Sequence, residues 1–188
     1  MLDFEETAAF LRSEAEDLVD RTGLIALLGE YGRPHLSGSY RTNLMTWRDL
    51  DIYLELDVPD VERFLELGYR IGKILRPRRL SFTDHLHFPS TEVLAGLYWG
   101  IKTDELSKGG WKIDLWGVTP EVCAERLEHS AALERRLTPQ LRSAILRIKR
   151  EVCSLPSYRD TITSQDVYDA ALAGADSSAA FWDYISRR

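Results

Sequence analysis

The chain is poor in cysteine, with two among 188 residues. Cys123 and Cys153 both fall in helix-like segments at apolar-leaning positions. Two such thiols do not make a disulfide scaffold, and free buried cysteines in a reducing compartment are expected. Basic charge is also in deficit: 24 Lys and Arg stand against 30 Asp and Glu, for a net charge of −6. A surface of that sign repels nucleic acid on average, which disfavours a dedicated DNA or RNA binder. The one basic cluster, Arg76, Arg78 and Arg79 around Pro77, reads as a solvated helix end. No apolar stretch is long enough to span a bilayer. The first ten residues carry Asp3, Glu5 and Glu6 where a secretory signal needs a basic segment leading into an apolar run, so a cytoplasmic location is expected. Internal repeats and low-complexity tracts are missing too.

What remains is an ordinary globular composition, 44% apolar and 29% charged. The length suits one domain, or a compact domain with a helical appendage. Apolar residues recur at helical spacing over 4–21, at Phe4, Ala8, Leu11, Ala15, Leu18 and Val19. A second short helix is predicted over 24–31, ending at Gly32. A short strand follows over 35–39 and runs into a Gly-Ser turn. The plainest strand covers 48–57, where Leu50, Ile52, Leu54 and Leu56 alternate with Asp49, Asp51, Tyr53 and Glu55. A helix to Leu75 follows, with Pro59 at its entry and Asp60 in its first turn. Strands are predicted over 79–88, 95–103 and 111–118, the last two joined by a hairpin turn at 107–110. From Thr119 the pattern is helical. Thr119-Pro120 and Thr138-Pro139 each read as an N-cap with Pro at the first helical position. Those helices run to about Leu137 and Leu155, Pro156 ending the second. Ser164 and Ser177 open two more. The expected architecture is α/β (α+β): a mixed sheet flanked by helices over 1–118, then a helical C-terminal region over 119–188.

Three features carry chemistry together: Gly38-Ser39 at a strand end, Asp49 and Asp51 at the start of the next strand, and Asp114 between Ile113 and Leu115 on a later one. Residues two apart on a strand share a face, so Asp49 and Asp51 point together, away from Leu50 and Ile52. Ile113 and Leu115 are the core pair of the later strand, which puts Asp114 on the polar face with Lys112 and Trp116. If the two strands are neighbours, three carboxylates converge. Their repulsion is resolved by a divalent cation, and oxygen-only ligation suits Mg²⁺ or Mn²⁺. Gly38 lets backbone approach a ligand closely, and the amides there, with the Ser39 hydroxyl, can donate to phosphate oxygens. A phosphate cradle facing a carboxylate set suits phosphoryl or nucleotidyl transfer.

The run Leu36-Ser37-Gly38-Ser39, a spacer of nine residues, and Asp49-Leu50-Asp51-Ile52 together resemble the signature of the DNA polymerase β-like nucleotidyltransferase superfamily. Its small bacterial members include antibiotic nucleotidyltransferases. Asp114 stands where that superfamily places its third carboxylate. The resemblance covers about residues 33–118 as fold and rests on some ten diagnostic positions. It implies that Gly38 and Ser39 hold a triphosphate, that Asp49 and Asp51 bind its metal, and that Asp114 helps bind the catalytic metal or acts as base on the acceptor hydroxyl. The implied reaction is attack on the α-phosphorus of a nucleoside triphosphate such as ATP, with pyrophosphate leaving. Many minimal members carry Arg three residues after the Ser. Here that position is Thr42, with Arg41 one place earlier.

Each remaining residue has a plainer reading beside the functional one. Arg41, with Tyr40 and Trp47, lies in the spacer and would shape the nucleotide pocket. Lys102 and Lys112 would neutralise a phosphate, or form a cross-strand ion pair. His85 and His87, two apart on a predicted strand, would share a face, but no third zinc ligand stands at sensible spacing. Trp99, Trp111 and Trp116 are packing residues before they are base-stacking ones. Phe181, Trp182, Tyr184 and Ile185 make an aromatic last helix, for core packing or for a homodimer interface. The acceptor is left open between a small molecule and a protein, with nucleic acid disfavoured by charge. The alternative to an enzyme is a catalytically silent nucleotide- or partner-binding module on the same fold.

Overall fold

The computed structural model describes residues 3–91, 93–105, 110–155 and 161–188. Helix α1 (Phe4–Arg21) is opened by a reciprocal cap between Asp3 and Glu6 and leads to the short α2 (Leu24–Gly29). Strand β1 (Arg33–Leu36) passes through the four-residue helix α3 (Gly38–Arg41) to β2 (Asp49–Glu55). β1 starts at Arg33 and includes Pro34, although Arg33-Pro34 looks like a break. It lies at the sheet edge, where proline's missing N–H costs no ladder bond. Helix α4 (Val61–Leu75) has Asp60 as its N-cap, accepting from the Arg63 amide at 2.7 Å, one place earlier than its sequence-predicted role in the first turn. It ends at Arg76, which adopts the left-handed conformation just before Pro77.

Strands β3 (Arg79–Asp84), β4 (Leu97–Thr103) and β5 (Trp111–Val118) complete a five-stranded sheet in the order β1-β2-β5-β4-β3. β2 and β5 run parallel and every other pairing is antiparallel. The expected mixed sheet flanked by helices is what forms. Helices α5 (Pro120–Arg136) and α6 (Pro139–Val152) start at the two Thr-Pro pairs as expected. Helix α7 (Ser164–Leu172) is capped by Thr163, so Ser164 is its first residue and not its cap. Ser177 caps α8 (Ser178–Ser186). The hairpin residues 107–109 and Pro156 lie outside the described residues.

Two cores result. The larger joins one face of the sheet to α1, α2 and α4, with Leu50, Ile52, Leu54, Phe64, Ile71 and Ile113 at its centre. Gly68 makes its tightest contact possible: a Cβ there would stand 2.0 Å from the Trp99 ring. The smaller core joins α6, α7 and α8 around Ile145, Ile148, Val167 and Phe181, and takes in Ala8 of α1 and Leu44. Packing accounts for part of the aromatic last helix: Phe181 is buried, with Tyr184 and Ile185 against the same core, while Trp182 is exposed. No described helix is long and apolar enough to cross a membrane.

Candidate active site

The site forms on the sheet face opposite the larger core. Leu50, Ile52 and Leu54 are fully buried on one side of β2, so the odd-numbered residues Asp49, Asp51, Tyr53 and Glu55 share the other. β5 is the parallel neighbour, with Asp114 directly opposite Asp51 and Lys112 opposite Asp49. The three carboxylates therefore converge, as the alternation anticipates. Lys112 bridges two of them. Its Nζ donates to Asp49 Oδ1 at 3.2 Å and to Asp114 Oδ2. The Tyr98 hydroxyl on β4 donates to the other oxygen of Asp114 at 2.6 Å, and the Trp47 indole donates to Asp49 Oδ2 at 3.1 Å.

Electrostatics single out Asp51. Burial in the cleft floor, then the charges of Asp49 and Asp114, push its carboxyl up to about 7, against the opposing charges of Lys112 and Lys149. Lys112 responds in the opposite sense. Burial alone would lower its pKa, and its two carboxylate partners raise it above the ordinary lysine value. The Tyr98 phenol is also pushed up, by burial and by its bond to Asp114.

Gly38 sits against this cluster. Its φ is +57°, and a Cβ there would lie 2.0 Å from Asp51 Oδ2. Both the left-handed backbone and the close approach require glycine. Gly38 and Ser39 line a cleft of about 490 Å³ with Asp49 and Asp51 in its floor. The opposite wall comes from the helical C-terminal region: Arg126, His129 and Ser130 of α5, and Ser164, Gln165 and Tyr168 of α7. A larger cavity, about 670 Å³, lies at the other end of β2 beside Arg33, Glu55 and Phe64, away from the three aspartates.

Four further residues belong to this site and carry no sequence motif. Lys149 of α6 is wholly buried. Its Nζ donates to the Leu44 carbonyl at 2.9 Å and to the Tyr168 hydroxyl at 3.3 Å, and lies 4.9 Å from the Trp47 ring centre. Burial and the charge of Asp51 push the Tyr168 phenol up, with hydrogen bonds to Ser164 and Ser39 opposing. Lys149 and Tyr168 thus tie the helical region to the Gly-Ser turn. The faint signal for Lys149 was its place in the apolar stripe of α6, four residues after Ile145 and three before Val152. The Arg126 guanidinium lines the cleft, and its Nε is buried with no hydrogen-bond partner among the described residues. Tyr98, the fourth, needed the β4–β5 register to be found.

Other expected residues lie apart. Arg41 pairs with Glu134 at 3.4 Å and is not among the residues lining the cleft. Lys102 is exposed on β4, opposite Lys112, on the polar face but outside the cleft. The two histidines do not share a strand face, because β3 ends at Asp84. The Asp84 carboxylate accepts the amides of Leu86 and His87 and pairs with the His87 ring at 2.9 Å, which turns the chain. His85 instead stacks on Trp116, ring centres 5.6 Å apart. Trp99 and Trp111 are core residues, as expected.

Neither a known family model nor a curated protein sequence matches the chain. Solved structures do. A terminal uridylyl transferase from Trypanosoma brucei, with UPU bound, superposes with a TM-score of 0.57 at 14% identity, over 88% of this chain and 57% of that one. The Cid1 poly(U) polymerase gives 0.56 at 15% identity, over 86% and 47%. A cytoplasmic RNA terminal U-transferase gives 0.54 at 13% identity, over 76% and 40%. The chain thus spans about half the length of these proteins, and what it shares with them is the fold.

Proposed function

We propose, for a chain with the nucleotidyltransferase fold of the DNA polymerase β-like superfamily, that it is a metal-dependent nucleotidyltransferase. It moves a nucleoside monophosphate from a nucleoside triphosphate to an acceptor hydroxyl and releases pyrophosphate. The observation that carries this reading is the register that sets Asp51 opposite Asp114, with Gly38 pressed against the same carboxylate.

The donor set fits Mg²⁺ or Mn²⁺. It is all oxygen, drawn from two adjacent strands, and it carries more negative charge than Lys112 alone offsets. When bound, such an ion polarises phosphoryl oxygens and offsets the charge that develops on them. Asp49, Asp51 and Asp114 would hold it. The amides at Gly38-Ser39 and the Ser39 hydroxyl would orient the triphosphate. Arg126 faces the same cleft with an unused buried donor, which suits a phosphate oxygen or an anionic part of the substrate. An Asp51 carboxyl titrating near neutrality can take the proton of an acceptor hydroxyl only while no cation occupies the site, so with metal bound its role is ligation. Lys112 is the ammonium nearest the carboxylates and would turn to a phosphate once they are ligated.

The structural neighbours are named for uridylyl transfer and poly(U) synthesis, which favours RNA as the acceptor. The net charge of −6 favours a small cationic molecule or a protein, and would weaken phosphate-backbone contacts. Two steps separate these readings. Calorimetric titration of each nucleoside triphosphate, with Mg²⁺ and then with EDTA, should show metal-dependent binding that Asp49→Asn abolishes. Pyrophosphate release is then measured with a short single-stranded RNA, an aminocyclitol and a protein acceptor. No binding under either condition would overturn the enzyme reading in favour of a silent partner-binding module.

A further inference from the structure

At the far end of the same strand face lies a second cluster of donors, with different chemistry. Glu55 is the last residue of β2, and His35 comes from β1. His35 pairs in register with Tyr53, so its side chain shares the face of Tyr53 and Glu55. Cys123, in the first turn of α5, is fully buried against that face. One donor atom from each of His35, Glu55 and Cys123 lies within 4.8 Å of those of the other two.

We propose that His35, Glu55 and Cys123 form a binding site for a borderline-soft divalent cation of the zinc class. Three protein ligands from two strands and a helix, with nitrogen, oxygen and sulfur donors, make a tetrahedral site with one open position. The dimensions agree. Ligand atoms about 2.0 Å from a tetrahedral zinc stand about 3.3 Å apart. His35 Nε2 and Glu55 Oε2 are 3.1 Å apart. A sulfur ligand needs edges of about 3.6 Å, so the thiol closes by roughly 1.2 Å at most from its 4.8 Å limit. An outer contact is in place as well: Arg33 donates to the other oxygen, Glu55 Oε1, at 2.8 Å, while Oε2, the oxygen that would ligate, holds the His35 ring in the metal-free protein. Glu55 and Arg33 both line the 670 Å³ cavity, so one of the three ligands borders it. Binding releases the thiol proton of Cys123 and breaks the His35–Glu55 hydrogen bond, the Nε2 proton of His35 leaving or moving to Nδ1 so that Nε2 can ligate.

The site is independent of the reading of the aspartates, and the test keeps the two apart. The full chain is stripped with EDTA and titrated with Co²⁺ as a spectroscopic substitute for zinc. An ultraviolet thiolate-to-cobalt charge-transfer band is expected at one equivalent and is displaced by Zn²⁺. It persists in Cys153→Ser and in Asp51→Asn, and is lost in Cys123→Ser. Because a hydroxyl in place of a buried thiol can unfold the chain, His35→Gln is the second variant. It should weaken cobalt binding by more than the roughly 10–100-fold that loss of an outer contact causes. No band in the wild type, a band surviving in Cys123→Ser, or unchanged affinity in His35→Gln would each overturn the proposal.

Discussion

One face of one strand carries two unlike donor sets. At its start, Asp49 and Asp51 face Asp114, with Lys112 between two of the three. At its end, Glu55 is already balanced by Arg33 and hydrogen-bonded to His35. The first end is short of positive charge in the folded protein, so a hard cation, on the reading proposed above, would relieve repulsion that folding created. At the second end both the Cys123 thiol and the His35 Nε2 that donates to Glu55 hold protons, so a cation there would have to displace them. Strand alternation delivers both clusters on one face, and local charge balance would decide which cation each could accept.

The strongest way to break this contrast is Asp51→Asn. It removes one carboxylate from the hard site and leaves the soft donors intact. Pyrophosphate release should fall by more than about 10³-fold, several kcal/mol of transition-state stabilisation, while the cobalt–thiolate band is unchanged. Turnover that survives this substitution would remove Asp51 from the metal set.

A second comparison uses stability. In the metal-free protein the Asp51 carboxyl is raised from an ordinary 3.8 to about 7. The stability it contributes is complete below pH 3.8 and is lost as pH rises through about 7, because the folded state then holds an ionised carboxylate it disfavours. In EDTA, Asp51→Asn should therefore melt higher than wild type by a margin that grows between pH 4 and pH 8. The expected ceiling is on the order of a few kcal/mol, and Mg²⁺ should shrink the margin at the upper pH. A margin that does not change with pH would mean that neither burial nor the neighbouring carboxylates raise the Asp51 carboxyl.

The aspartate end was legible because its signals are local. Alternation over Leu50, Ile52 and Leu54 fixed the face of Asp49 and Asp51, and the apolar pair Ile113 and Leu115 did the same for Asp114. Only the adjacency of β2 and β5 had to be supplied by the fold. The second donor cluster was invisible because its members lie on three elements far apart in sequence, with no spacing to betray them. The histidine pair misled for a related reason: strand alternation was extended past Asp84, where side-chain bonds to the backbone amides of Leu86 and His87 had already turned the chain. Arg41 is paired with Glu134, on a helix far along the chain, and does not line the cleft.

Arg126 tests the wall that the helical region contributes, and here the expected effect is smallest. Its Nε is buried in the cleft lining with no partner among the described residues. A buried guanidinium donor left unused costs stability in the free protein, and the cost is recovered only when an acceptor arrives. Arg126→Gln should therefore leave melting unchanged or slightly raised, yet weaken triphosphate binding by roughly 10-fold, as expected for losing one hydrogen bond to a charged group. The weakening should shrink as salt rises, since part of it is charge attraction. Should triphosphate affinity hold while acceptor KM rises, Arg126 belongs to the acceptor side of the cleft, and an acceptor carrying negative charge near its reacting hydroxyl is then favoured over a cationic one.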